Sequence, residues 1–269
     1  MSDVEFQYAD AGHALALHSA APGLHRYDRH AHDEYSIILV TYGTKILRAG
    51  PRTLMASPGQ IVVLPPGTSH DCEPLGATAW GHRCLYVSPD LMARIMGDAR
   101  FAAAPPALRP VVDEPQLAGA ILAWHARRTA RPLETIDDEG ADLLARAVAI
   151  AACGDAVAIA PPAPSAARTQ TYLRVFRRDL SRKLDLDGLA DRAGVSKFQV
   201  IRDVRSALHT TPGRLLRDLR LREAKRLIRC DVPIAEVPMM TGFSDQSHLT
   251  RAFKDAYAIT PGTYRRAVS

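Results

Sequence analysis

The sequence predicts two domains: a strand-rich N-terminal domain ending in a pair of helices, then an all-helical domain built from one motif used twice. Three observations predict this. Residues from about Asp3 to Val87 read as short apolar runs separated by Pro and Gly turns. Beyond Thr169 a helix–glycine turn–helix pattern occurs, and a very similar one follows about fifty residues later. Between the two regions lies a Pro/Ala-rich stretch, Gly154 to Ser165, expected to be a semi-extended linker covering 154–168.

In the N-terminal domain (1–153) the strands expected are Tyr35–Thr41, Thr44–Arg48, Gln60–Leu64 and Ala79–Val87. Helices are expected over Pro89–Asp98, Glu114–Ala130 and Thr135–Cys153. The last two carry apolar faces, Leu117, Ile121 and Leu122, then Leu143, Leu144 and Val148. They read as an antiparallel pair that either forms a dimer contact or caps the strands.

In the C-terminal domain (169–269), Leu186, Leu189, Ala190 and Ala193 recur at the spacing of one buried helix face. Gly194 ends that helix and Ser196 caps the next. There Val200 and Val204 point inward, leaving Lys197, Phe198, Ile201, Arg202 and Arg205 outside. The second unit runs from Ile234 to Met240, turns at Thr241-Gly242, and resumes from Asp245 to Lys254. Its Leu249, Ala252 and Phe253 form the apolar stripe; Gln246, Ser247, His248, Arg251 and Lys254 do not. Helix, turn, helix is a layout whose second helix enters the DNA major groove.

These pieces resemble the DNA-binding domain of the AraC family of transcriptional regulators from Thr169 to Ala267. The resemblance rests on Leu-Ala-Asp-Arg-Ala-Gly-Val-Ser at 189–196, Arg-Leu-Arg-Glu-Ala-Lys-Arg-Leu-Ile at 220–228, and Gly-Phe-Ser-Asp-Gln-Ser-His at 242–248. Thr260-Pro261 and Tyr264-Arg265-Arg266 complete it. A connecting helix of about eighteen residues spans about 27 Å, comparable to the roughly 34 Å between successive major grooves on one DNA face. Arg202 and Arg251 suit guanine, Gln246 adenine, and Phe198 or Ile201 a thymine methyl. Lys197, Arg205 and Lys254 suit phosphates. Two departures from the family pattern stand out. Pro238 should kink or shorten its helix, and Asp203 takes a usually apolar position, reading as a surface acid that leaves its helix less well anchored.

Charge divides along the same boundary. From Ser165 onward there are 21 Lys and Arg against 11 Asp and Glu, a net of +10. With 34 and 29 in the whole chain, residues 1–164 carry 13 and 18, a net of −5. A basic domain beside an acidic one is expected if only the former meets double-stranded promoter DNA. No apolar run reaches the roughly 18 residues of a membrane span, and no secretory pattern opens the chain. Cys72, Cys84, Cys153 and Cys230 are scattered. The expectation is a cytoplasmic protein with reduced thiols and no membrane partner.

Two N-terminal segments, His30-Ala31-His32-Asp33-Glu34-Tyr35 and Gly59 through His70 with its Pro65 and Gly67, resemble the halves of the cupin signature. The resemblance implies a small β-barrel whose mouth often holds a metal, the layout of many AraC-type effector domains. Glu34 follows His32 sooner than in metal-binding cupins. On one extended strand His30, His32 and Glu34 would share a face, and His70 would complete a site for zinc, nickel, iron or manganese. Equally, the histidines would line an effector pocket without metal, beside Tyr35, Trp80, Arg83 and Tyr86. Trp80, His82, Cys84 and Tyr86 share one strand face and Arg83 the other; which is inside stays open.

The sequence thus implies a regulator, with a small effector in the barrel, promoter DNA on the helical domain, and a homodimer through the helix pair. Two rivals are a metal-responsive regulator using His30, His32 and His70, and a metal-dependent cupin enzyme fused to a DNA-binding domain. Against the enzyme, no second carboxylate or nucleophile is placed for catalysis.

Overall fold

The computed structural model describes residues 4–9, 15–103, 108–129, 136–152, 163–178 and 180–268. The chain divides near residue 160 into two compact units. The first holds strands β1 (Val4–Ala9), β2 (Leu15–Gly23), β3 (Tyr27–His30), β4 (Tyr35–Tyr42), β5 (Lys45–Ala49), β6 (Arg52–Ala56), β7 (Gln60–Leu64), β8 (His70–Pro74) and β9 (Trp80–Val87). Then come α1 (Pro89–Met96), α2 (Arg100–Ala103), β10 (Val111–Asp113), α3 (Pro115–Thr129) and α4 (Asp138–Ala152). Six strands form one sheet in the order β1-β2-β9-β4-β7-β10, and four form a second, β3-β8-β5-β6.

Strand parity sorts the side chains into two cores. Tyr35, Ile37, Leu39, Leu85 and Val87 face out of the six-stranded sheet and are buried against Leu117, Ile121 and Trp124 of α3 and Leu144 and Val148 of α4. Ile38, Val40, Leu47, Val62, Leu64, Trp80 and Cys84 face the other way, into the space between the sheets. The face bearing Trp80, His82, Cys84 and Tyr86 is therefore the inner one. The two long helices pack along the outside of the large sheet, spending their apolar faces there.

Tyr35 corrects the expectation that placed it in the pocket. It belongs to the outer core, and its hydroxyl donates to the Phe101 carbonyl at 2.8 Å. The parity that sends Ile38 and Val40 inward necessarily sends Tyr35 outward.

The second unit is α5 (Ala163–Arg178), α6 (Leu186–Ala193), α7 (Lys197–Leu208), α8 (Pro212–Arg229), α9 (Val237–Thr241), α10 (Gln246–Tyr257) and α11 (Pro261–Val268). Helix α5 begins inside the segment expected to be linker. Pro164 is its second residue, where the missing amide costs nothing, and the alanines that follow favour helix. Residues 154–162 of the expected linker lie outside the described residues. Pro238 has the same explanation. It sits in the first turn of α9, which is only 5 residues long.

Asp203 overturns its expected role. It is buried at 3 % exposure and accepts from Arg168 at 2.7 and 3.0 Å, from the Tyr172 hydroxyl at 2.9 Å and from Gln199 at 2.7 Å. Instead of loosening α7, the acid pins it to α5, because Arg168 and Tyr172 of α5 and Gln199 one turn back on α7 together supply its donors. The Arg168 guanidinium, with the other donors, holds the carboxyl at about 2 despite burial. A depressed folded value means the stabilisation is complete above pH about 4 and fades as pH falls through about 2. Asp203→Ala should therefore cost on the order of 2 kcal/mol at neutral pH, the low end for a buried pair because Arg168 is partly solvated. Denaturant melts check this: the gap between variant and parent should narrow at pH about 2, and a gap unchanged by acid would contradict the account.

Candidate DNA interface and barrel interior

Each recognition helix is launched by the same local device. Gly194 and Gly242 take left-handed backbone at φ 64° and 80°, which a side chain at either position would strain. The Ser196 hydroxyl then accepts from the Gln199 amide at 3.2 Å and opens α7. The Asp245 carboxylate accepts from the His248 amide at 2.7 Å and opens α10. That amide is also the main reason the Asp245 carboxyl titrates below its ordinary value.

On α7, Val200 and Val204 are fully buried, while Lys197, Phe198, Arg202 and Arg205 are exposed and Ile201 is half-buried. Burying each valine is worth roughly 1.5–3 kcal/mol, which fixes the face presented outward. Phe198 is 68 % exposed, the one aromatic ring on this face of α7. On α10, Leu249, Ala252 and Phe253 are buried, and Gln246, Ser247, His248, Arg251 and Lys254 are exposed. All ten residues expected at DNA thus occupy the two outward faces or their margin. Among them His248 is locally held, its Nδ1 3.1 Å from the Ser244 hydroxyl and its ring edge-on to Phe243.

Sequence reasoning missed Gln199. Its amide nitrogen donates to Asp203 while its Oε1 accepts from Arg202 at 2.7 Å. The buried acid thus orients an amide that orients the guanidinium. The only sequence signal was spacing: residues 199, 202 and 203 are helical neighbours.

Helix α8 carries both units. Its Arg220 donates from Nε to the Leu180 carbonyl at 2.8 Å and from Nη2 to the Arg182 carbonyl at 2.7 Å. A methyl group placed on Gly242 would lie 2.6 Å from that Leu180 oxygen and 2.7 Å from Arg220 Nη2. The turn of the second unit, the guanidinium and the approach to α6 are in mutual contact.

Inside the barrel, the ring nitrogens of His30, His32 and His70 offer ligand atoms within 4.8 Å of one another, and all three side chains are buried. His30 Nδ1 lies 2.6 Å from the Asp28 carbonyl and His70 Nδ1 2.9 Å from the Thr68 carbonyl. A carbonyl only accepts, so both Nδ1 atoms carry the proton and both Nε2 atoms present lone pairs. His30 Nε2 is 3.0 Å from His32 Nε2. Burial, with His30 second, pushes His70 well below its ordinary value and keeps it neutral.

The expected strand carrying His30, His32 and Glu34 is not formed. Strand β3 ends at His30, His32 lies in the loop and Glu34 in a bend. Glu34 is half-buried and lies outside the three-histidine group. Trp80 is inside and fully buried, its indole N–H bonded to the His25 carbonyl at 2.9 Å. Arg83 lies on the opposite strand face. The sequence reading missed Lys45, Tyr27 and His18, all interior. For Lys45 the signal was parity with Leu47 and Ala49.

A strand-rich domain with buried histidines and a basic helical domain presenting two capped, outward-facing helices fit a DNA-binding transcriptional regulator with an N-terminal ligand-binding domain. Residues 12–149, more than half of the chain, match the AraC-like ligand binding domain, and residues 189–267 match a helix-turn-helix domain. The chain belongs to the AraC family of transcriptional regulators. It is 22% identical over 227 residues to the HTH-type transcriptional regulator YbfI of Bacillus subtilis, covering 84% of this chain and 82% of that one. It is 38% identical over 88 residues to the regulator GlxA of Rhizobium meliloti, 32% of this chain and 27% of that one. The fold is similar to ToxT of Vibrio cholerae O395, with a TM-score of 0.52 and 10% identity over 100% of this chain and 98% of that one. Among the described residues no helix is long and apolar enough to cross a membrane.

The crowding at the second turn yields a direct expectation. Gly242→Ala should weaken DNA binding at least tenfold and lower the melting temperature, since both the backbone angle and the space oppose a methyl group. Gly194→Ala meets no such crowding and should cost only the backbone strain, about 1 kcal/mol. Equal losses in paired melts and gel shifts would contradict this.

Proposed function

We propose that the chain is a homodimeric regulator. It binds promoter DNA through α7 and α10 in successive major grooves and changes its DNA binding when a small effector enters the N-terminal barrel, with no turnover. The observation that carries this reading is the pair of outward faces, on the helices that precede and follow α8 in the chain, each presenting arginine, lysine and amide groups. Arg202, Arg251 and Gln246 read base edges, Phe198 and Ile201 meet thymine methyls, and Lys197, Arg205 and Lys254 hold phosphates. Ser247 and His248 complete the α10 surface. Dimerisation uses the outward faces of α3 and α4, where Gly119, Ala120 and Ala123 are small and exposed. Sedimentation equilibrium decides it, and a monomer at micromolar concentration would sink this part.

The effector acts by its difference in affinity between two arrangements of the protein. Operators selected from a random library test the DNA roles. Arg202→Ala and Arg251→Ala should each relax preference at one position and cost about 1–3 kcal/mol. Lys197→Ala should weaken binding evenly across sequences and lower the salt slope by about 1. Loss of one preferred base in the lysine variant would reverse these assignments.

A second reading is favoured by the convergence of His30, His32 and His70, with two rings already oriented by carbonyls. Three imidazoles fit zinc, nickel or iron better than manganese, which prefers carboxylates such as Glu34, outside the group. In this reading the metal is the signal. Stoichiometric metal in the purified protein, lost in His70→Ala, with operator binding that responds to chelator, is the outcome it requires. Operator binding indifferent to chelator would leave the histidines as pocket lining.

A further inference from the structure

Lys45 opens β5 with its side chain inside the barrel and 0 % exposed. Its Nζ meets the Cys72 sulfur at 4.0 Å and lies 5.3 Å from the centre of the Trp80 ring. Among the described residues it has no carboxylate partner. The acids of the adjoining strand β8, Asp71 and Glu73, point to the outer face. Arg29 binds Asp71 at 3.0 Å, Arg48 binds both acids, and Arg26 binds Glu73 at 2.6 Å. A thiol and a ring face are poor partners for a buried amine, and an acid ligand would supply the counter-charge they lack.

Two further polar groups lie beside it. The Tyr27 hydroxyl and His82 Nδ1 are buried and have no hydrogen-bond partner among the described residues. Their rings lie 6.0 and 4.8 Å from that of Trp80, and 5.7 Å from each other. Lys45, Tyr27 and His82 thus surround one indole. The same inner core is largely apolar, with Ile38, Val40, Leu47, Val62 and Leu64. A few convergent polar groups in an apolar lining are the makings of a small-molecule site.

We propose that the barrel interior is an organic-acid site. The carboxylate of the ligand pairs with Lys45 Nζ and accepts from Tyr27 and His82, while its apolar body lies against the aliphatic side chains. This rests on the effector reading of the N-terminal domain and names the chemical class of the effector. Its chemistry differs from that of the three-histidine group, whose two carbonyl-oriented rings suit a cation instead.

The test uses the full chain without DNA, with hexanoate and benzoate as probes and hexanamide and benzamide as neutral isosteres. Thermal melts and tryptophan fluorescence at millimolar probe should show at least one acid binding, at least tenfold more tightly than its amide. Lys45→Met should abolish that preference, and Lys45→Gln carries the same test if the methionine variant does not fold. Neither acid binding, amide matching acid, or a preference that survives loss of the lysine would each overturn the proposal. Operator binding measured separately keeps the two claims apart. An acid that binds through Lys45 yet leaves operator affinity unchanged upholds the site and removes its effector role.

Discussion

The Arg220 guanidinium stands where the two helix–turn–helix units meet the helix that joins them. It donates to the carbonyls of Leu180 and Arg182 at the approach to α6, and it fills the space beside Gly242 at the turn into α10. A charged donor satisfying two carbonyls is a strong and directional contact. Around it, Leu215, Leu216 and Leu219 of α8 pack into the core of the first unit, and Lys225 lies over the rings of Tyr257 and Tyr264 in the second. Both units are thus referred to one rigid element, and the setting of α7 relative to α10 follows from it. Reading two grooves requires that setting, since a misplacement of a few ångströms would remove bidentate contacts in one of them.

Stability and recognition meet again at Asp203. The same carboxylate that binds Arg168 and Tyr172 of α5 also holds Gln199, and Gln199 holds Arg202. An apolar residue there would pack the helix but leave the Gln199 amide that orients Arg202 without its anchor. The cost of burying an acid is accepted at the place where it organises an exposed arginine of α7. Lys45 shows the converse, a buried amine that meets only a thiol and a ring face and has no carboxylate partner among the described residues.

Much of the helical domain was legible in the sequence because its signals are local. Gly194, Ser196, Gly242 and Asp245 each act within three residues, and the periodicity of Leu189, Val200, Leu249 and Phe253 sorts inside from outside without reference to distant chain. Asp203 was misread for the opposite reason. Its partner Arg168 is thirty-five residues away, on a helix whose start resembles a linker. In the N-terminal domain, alternation located β4, β5, β7 and β9 but left the inner face undecided, since both faces of the large sheet are buried in separate cores. The His30-x-His32 spacing did bring the two rings together, though through a loop at the end of β3. Glu34 was lost to the group for the same reason, because the chain bends at 33–34 where an extended strand was assumed.

The central claim is that one chain holds α7 and α10 in register with two successive major grooves. Inserting about half a helical turn of DNA, roughly 5 base pairs, between the two halves of a selected operator tests it most directly. With the units fixed by α8 and Arg220, affinity for the lengthened site should fall at least a hundredfold, and recover little with a full turn because α8 cannot lengthen. Affinity that tolerates the half-turn insertion would show that the units read DNA independently, and would contradict the account.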